Sequence, residues 1–146
     1  MTIGPFSSAP RPFSRVMVAN RGEIAVRILK AAREAGLGSV AVFSDSDAKS
    51  LHVEVADEAV HIPGESLSET YLNSEALISA ALSSGADAIH PGYGFLSERS
   101  DFAIAVAEAG LVWIGPPAEA ISTMGDKISA RARMIESGVQ VIPGEE

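Results

Sequence analysis

Cysteine is absent from this 146-residue chain. That excludes a disulfide scaffold, Cys-ligated zinc and thiol catalysis. Basic residues are scarce: 11 Lys and Arg stand against 19 Asp and Glu, a formal net charge of −8 at pH 7. Binders of nucleic acid or of anionic membranes rely on cationic surface, so neither partner is expected. No apolar run approaches the roughly 18 residues of a membrane span. The first thirteen residues, MTIGPFSSAPRPF, contain no secretory h-region. Lack of cysteine and of a secretory signal fits a reducing compartment, and the expected location is cytoplasmic, or the mitochondrial matrix in a eukaryote.

Apolar residues make up 47% of the chain and charged residues 21%, which suits a globular domain and not a disordered one. A domain near this size buries roughly 68–70% of its unfolded surface, enough for a core without staples. Residues 1–14 read as a flexible tail and residues 15–146 as a single domain. Short β-branched runs recur at Val16–Ala19, Ser39–Phe43, Glu58–Ile62, Asp87–His90 and Leu111–Ile114, and more weakly at Val139–Ile142. Most are continuous apolar stretches, as in strands covered on both faces. Helical patterns fall between them. Ile24, Ala25, Ile28, Leu29 and Ala32 form one stripe, with Gly36 as its C-cap. Asn73 caps a second helix that ends at Gly85, and a third runs from Ser100 to Gly110 with Phe102 and Val106 inward. A short fourth follows Pro116-Pro117, and a fifth starts at Asp126 with Ile128, Ala132 and Ile135 as its apolar positions. This alternation predicts an α/β fold: a Rossmann-like open parallel sheet with right-handed crossovers and helices on both faces. Ligands in such sheets sit beyond the carboxyl ends of the strands.

Four segments carry candidate chemistry. Asn20-Arg21-Gly22-Glu23 closes the first strand, and Asp45 and Asp47 stand where a ribose-binding acid would. The loop has one glycine where a dinucleotide fingerprint has three, so a tight strand-to-helix turn is the better reading. Gly92-Tyr93-Gly94, after His90-Pro91, places a ring between two glycines at a strand end, where it can pack against a flat ligand. Phe95 and Leu96 behind it read as core. Met124-Gly125-Asp126-Lys127 opens the last helix, and a cation there opposes the helix dipole. Anion contact and a solvated lysine both remain open for Lys127. On the first helix Glu23, Arg27, Lys30 and Glu34 share an outer stripe, where Glu23–Arg27 and Lys30–Glu34 can pair. A solvated face is the plainer reading, and a two-fold interface the other. His52, His61 and His90 stand alone, with no metal-ligand spacing around them. Nucleophile-elbow and P-loop motifs are both missing.

Five motifs in register resemble the N-terminal domain of biotin carboxylase, the ATP-dependent component of biotin-dependent carboxylases. They are Val18-Ala19-Asn20-Arg21-Gly22-Glu23-Ile24-Ala25, His90-Pro91-Gly92-Tyr93-Gly94-Phe95-Leu96-Ser97-Glu98, Ile114-Gly115-Pro116, Met124-Gly125-Asp126-Lys127 and Pro143-Gly144. The resemblance covers residues 15–146. It implies a domain that precedes an ATP-grasp domain, itself absent from this chain. It implies a reaction in which ATP and bicarbonate give carboxyphosphate, and the carbon dioxide released carboxylates a ureido nitrogen of carrier-bound biotin. Lys127 is then an ATP contact. Tyr93, with Gly92 and Gly94, lies near the biotin ring. Arg27, Lys30 and Glu34 belong to a dimer face, which sets aside the solvated stripe. No catalytic residue and no metal ligand is expected in this segment, because the family's magnesium-binding acids, bicarbonate-binding arginine and general base lie further along. The segment alone is therefore expected to be inactive and to hold none of ATP, magnesium or biotin tightly. Implied partners are the rest of the carboxylase chain, a biotin carboxyl carrier domain, a carboxyltransferase that serves an acyl-CoA or similar acceptor, and a second copy. Competing readings are a free-standing nucleotide-binding Rossmann module, a docking domain without a ligand, and another ATP-grasp ligase such as carbamoyl-phosphate synthetase. The Asn20–Ala25 stretch points away from the last.

Overall fold

Side-chain alternation along the first two strands decides the architecture. The computed structural model describes residues 12–125 and 127–142. Strand β1 (Arg15–Val18) pairs in parallel with β2 (Gly38–Phe43). Met17, Val40 and Val42 join one buried cluster, while Val18 and Ala41 join another. Successive residues of a strand point to opposite faces, so these two clusters lie on opposite sides of the sheet and both need cover. Helix α1 (Gly22–Glu34) supplies Ala25 and Leu29 on the Val18 side, and α2 (Leu51–Val55) packs beside it. On the Met17 side lie α3 (Ser74–Ser83), through Leu77, Ala80 and Ala81, and α4 (Ser100–Glu108), through Phe102 and Val106. Fully burying apolar side chains of this size stabilises the fold by about 1.5–3 kcal/mol each.

Strands β3 (Glu58–His61), β4 (Ala88–His90) and β5 (Val112–Trp113) complete an all-parallel sheet of five strands in the order β3-β2-β1-β4-β5. Strand β1 is therefore central. Helix α5 (Ala118–Gly125) packs on α4, and α6 (Lys127–Glu136) on α5. Two carboxylates fasten strand ends. Asp87 accepts hydrogen bonds from the backbone N–H and Oγ of Ser14 and from the N–H of Arg15, all at 2.8 Å. Asp57 does the same for Ser39, at 2.8 Å to N and 2.7 Å to Oγ.

The structure differs from the sequence reading in two places. Val139–Ile142 is not a strand: the chain turns at Gly138, and Val139 and Ile142 are 51% and 85% exposed. The free edge at β5 is only two residues long and offers almost no ladder to extend. Helix α6 forms over the segment read as the fifth helix, with its apolar positions at the surface. Ile128 and Ile135 are 73% and 54% exposed, and among the described residues of that helix none is buried. A 3-10 turn at Asp45–Asp47 and helix α2 occupy the link between β2 and β3, where the sequence reading named no particular helix. Asp126, the Pro143-Gly144 motif and tail residues 1–11 lie outside the described residues.

Candidate functional site

The sheet reverses its winding between β1 and β4, so a crevice opens beyond their carboxyl ends. Asn20 and the loop after His90 meet there. Asn20 is 2% exposed, and its Nδ2 donates to the carbonyl oxygens of Pro91 and Tyr93, both at 2.9 Å. Its Oδ1 accepts the Arg21 N–H at 2.9 Å. Gly92 passes so close that a Cβ there would lie 2.7 Å from Asn20 Nδ2, and its φ of +69° is one that L side chains disfavour. The Gly92 N–H donates to His90 Nδ1 at 3.0 Å, which fixes that nitrogen as the unprotonated one. Burial holds the His90 imidazole below the usual histidine range. Gly94 also has a positive φ, +67°, but open space where its Cβ would be.

Tyr93, the residue this machinery presents, is 67% exposed. Together with Asn20, Arg21, Glu23, Ile24, Gly94 and Phe95 it borders a cleft of about 340 Å³. On its other side it joins Arg27, Ile28, His90 and Ile114 around a trough of about 270 Å³. Tyr93 and the outer edge of α1 thus share one wall. Phe95 is only half-buried, whereas Leu96 is core at 4% exposure.

A buried polar knot underlies the cleft, and the sequence reading missed its wiring. Asp47 is 4% exposed. It accepts a hydrogen bond from Arg21 Nη2 at 2.5 Å and one from the Tyr71 hydroxyl at 2.7 Å. The Arg21 guanidinium carbon lies 5.7 Å from the centre of the Tyr71 ring. Burial opposes the Asp47 charge, but the bonds from Arg21 and Tyr71 outweigh it and hold the carboxyl below its usual range. For Tyr71 burial and the Asp47 bond act together and push the phenol well above its ordinary value. Asp45 bonds His61 Nε2 at 2.5 Å and the Gly64 N–H at 3.1 Å. With Asp47 turned inward and Asp45 engaged, neither is the free acid a ribose would need. A sequence signal for the knot existed in the acid pair itself, but nothing local reveals that Tyr71, 24 residues on, closes onto Asp47.

The other residues singled out lie apart. Arg27, Lys30 and Glu34 are exposed along α1, and among the described residues neither Glu23–Arg27 nor Lys30–Glu34 closes into an ion pair. Lys127 is exposed at the start of α6 and borders neither the cleft nor the trough. His52 is fully buried, and its Nε2 donates to the Val42 carbonyl at 3.1 Å. Among the described residues no group of three or more His, Asp or Glu could hold a metal ion.

Residues 12–121 match the family described as "Biotin carboxylase, N-terminal domain". The chain belongs to this family. Biotin carboxylases are ATP-dependent ligases, and this chain covers their N-terminal domain. It is 50% identical over 138 residues to the biotin-dependent acyl-coenzyme A carboxylase alpha3 subunit of Mycobacterium leprae, which covers 94% of this chain and 23% of that protein. It is 51% identical over 138 residues to the mitochondrial methylcrotonoyl-CoA carboxylase subunit alpha of Glycine max, covering 94% of this chain and 19% of that one. The chain thus spans about a fifth of these curated relatives. Among solved structures it matches the biotin carboxylase domain dimer of 2-oxoglutarate carboxylase from Hydrogenobacter thermophilus, in complex with MgADP, ADP and bicarbonate. That match has a TM-score of 0.88 and 44% identity, over 93% of this chain and 30% of that one. The biotin carboxylase fold of this chain is therefore the five-stranded parallel sheet described above, and among its described residues no helix is long and apolar enough to cross a membrane.

Proposed function

We propose that this chain serves as the N-terminal domain of a biotin carboxylase that uses ATP and bicarbonate to carboxylate carrier-bound biotin. A carboxyltransferase would then pass the carboxyl group to an acyl-CoA or a similar acceptor. The observation that carries this reading is the loop after β4. An exposed tyrosine is held out over a cleft by two glycines and a buried asparagine, inside the motif that the resemblance assigns to the biotin side. Tyr93 offers a ring face for a flat heterocycle and a hydroxyl for its polar edge. Gly92 and Gly94 give the backbone its turn. Lys127, exposed at a helix start, suits a phosphate contact. Arg27, Lys30 and Glu34 supply mixed charges suited to a two-fold contact. ATP, magnesium and biotin belong to the assembled enzyme, with the carrier domain and the remaining carboxylase chain as partners.

The test is a domain exchange. This chain replaces the N-terminal domain of a complete relative, and carboxylation of free biotin is followed with ATP and bicarbonate. The chimera is expected to turn over, and the isolated 146-residue chain is not. Lys127→Ala removes a charge-assisted contact of about 1.5–3 kcal/mol, so KM for ATP should rise roughly 10- to 100-fold. Tyr93→Ala should raise KM for biotin with little change in KM for ATP. A chimera in which both constants stay at their starting values defeats the reading, and so does turnover by the isolated chain.

A further inference from the structure

We infer that Asp47 and Tyr71 are positioning residues, which hold the Tyr93 loop from both sides through one shared buried carboxylate. Two arms leave Asp47. Through Oδ1 it takes the Arg21 guanidinium at 2.5 Å, and the backbone N–H of the same arginine fixes Asn20 Oδ1 at 2.9 Å. The Asn20 amide is thereby oriented with its NH2 toward Pro91 and Tyr93, whose carbonyls it holds at 2.9 Å. This arm grips the loop before and at Tyr93.

The second arm runs through Oδ2, which accepts the Tyr71 hydroxyl at 2.7 Å, while that hydroxyl accepts the Ser44 N–H at 3.3 Å. Donating and accepting at once, the phenol oxygen is held in place, so the ring cannot swing away from the loop. The Tyr71 ring stacks on Phe95, with centroids 5.5 Å apart and planes within 9°. Phe95 has φ +47° and is the one non-glycine residue with positive φ among those described. A bulky aromatic side chain disfavours that conformation, so something must hold it there. The stack on an oriented Tyr71 does so, and it grips the loop just after Tyr93 and Gly94. Ser44 Oγ at 3.3 Å and Ser50 Oγ at 3.2 Å complete the shell of Asp47. If Tyr71 only filled space, its hydroxyl would be irrelevant and phenylalanine would serve as well. What this means for carboxylation rests on the reading of Tyr93 as a biotin-side residue, whereas the positioning itself needs neither biotin nor ATP to be observed.

The decisive variant is Tyr71→Phe in the 146-residue chain, which keeps the ring and deletes one O–H. The chain has only two tyrosines, so in this variant the ring resonances of Tyr93 stand alone in a carbon-detected NMR spectrum. Amide exchange is followed at Gly92 and Ser97, whose N–H groups bond His90 Nδ1 and the Gly94 carbonyl. Leu29→Val, in the core cluster on the other face of the sheet, is the control for general loss of stability. Exchange at Ser97 is expected to accelerate about 10-fold or more in Tyr71→Phe, and the Tyr93 ring signals to shift, with neither change in the control. Phe95→Gly cuts only the stacking arm, so Ser97 should be released while Gly92 stays protected. The inference is overturned if Tyr71→Phe leaves loop exchange and the Tyr93 signals unaltered, or if Leu29→Val reproduces both. Because the readout omits every substrate, it can fail while the domain-exchange assay succeeds, and the reverse.

Discussion

Gly92 and Gly94 sit two residues apart with nearly the same φ, yet they should respond differently to a methyl group. At Gly94→Ala only the left-handed backbone is penalised, by about 1–2 kcal/mol, because no atom stands within 4 Å of the added carbon. At Gly92→Ala the same penalty applies, and the new carbon also displaces Asn20 from the carbonyls of Pro91 and Tyr93. Each of those bonds contributes about 1 kcal/mol. Urea unfolding should therefore show a loss of about 3 kcal/mol for Gly92→Ala and about half that for Gly94→Ala. Equal losses would remove Asn20 from the account. Two histidines govern the acid side. Burial is the main cause that holds His52 and His90 below the ordinary histidine pKa. As pH falls through about 6.5, the unfolded chain takes up protons that the folded chain refuses, so stability present above that pH is lost down to the depressed folded values. The urea midpoint is expected to decline from about pH 7 to pH 5, and His52→Gln should remove part of that slope. A midpoint that is flat across this range contradicts the burial argument. The carboxylates of Asp47, Asp57 and Asp87, all held low, act in a separate window that opens only below about pH 4.

Helix α3 shows what a sequence can specify at the level of one element. Asn73 Oδ1 accepts the Ala76 N–H at 3.0 Å, as its place before an apolar helical stretch predicts. Asn73→Ala should lower stability by about 1 kcal/mol, and Asn73→Asp should restore most of it in the same unfolding assay. An alanine variant as stable as the parent would show the cap to be ornamental. Strands β1 to β5 were equally legible in position, because short apolar runs bounded by turns mark them, but β3 and β5 at the edges carry no buried residue. Helix α6 was legible as a helix, whereas what its apolar face meets was not. Periodicity at Ile128, Ala132 and Ile135 marks an apolar face, but it does not say whether that face meets anything in the same domain, and here Ile128 and Ile135 stand exposed. Val139–Ile142 was read as a weak strand and forms none, since a β-branched run becomes a strand only beside an edge long enough to pair with it. The Asp45–Asp47 turn and α2 escaped notice because each is short, three and five residues, and Asp47 takes two of its partners, Arg21 and Tyr71, from far along the chain. Of the candidate site, Gly92, Tyr93 and Gly94 could be read as an unusual presentation of a ring. The grip of Asn20, Arg21, Asp47 and Tyr71 upon them could not, because it crosses three strands.

Across the whole molecule, the proposed dimer puts a second copy against the exposed Arg27, Lys30 and Glu34 of α1. In a complete carboxylase that carries this domain, Arg27→Glu should weaken dimerisation about 10-fold in sedimentation velocity, because it reverses a charge in a mixed-sign contact. Unchanged association would discard that face. The strand order has a further consequence during synthesis. Strand β1 is made early and finds β2 some 23 residues later, but its other neighbour, β4, begins only at Ala88. A nascent chain shorter than that carries the central strand with one side bare, a template for pairing with other chains. The crevice itself has just one wall until His90 has left the ribosome. The crevice is therefore completed only after β1, α1 and β2 have already been made, and chaperones that shield an open sheet edge should engage this chain most strongly before β4 has emerged.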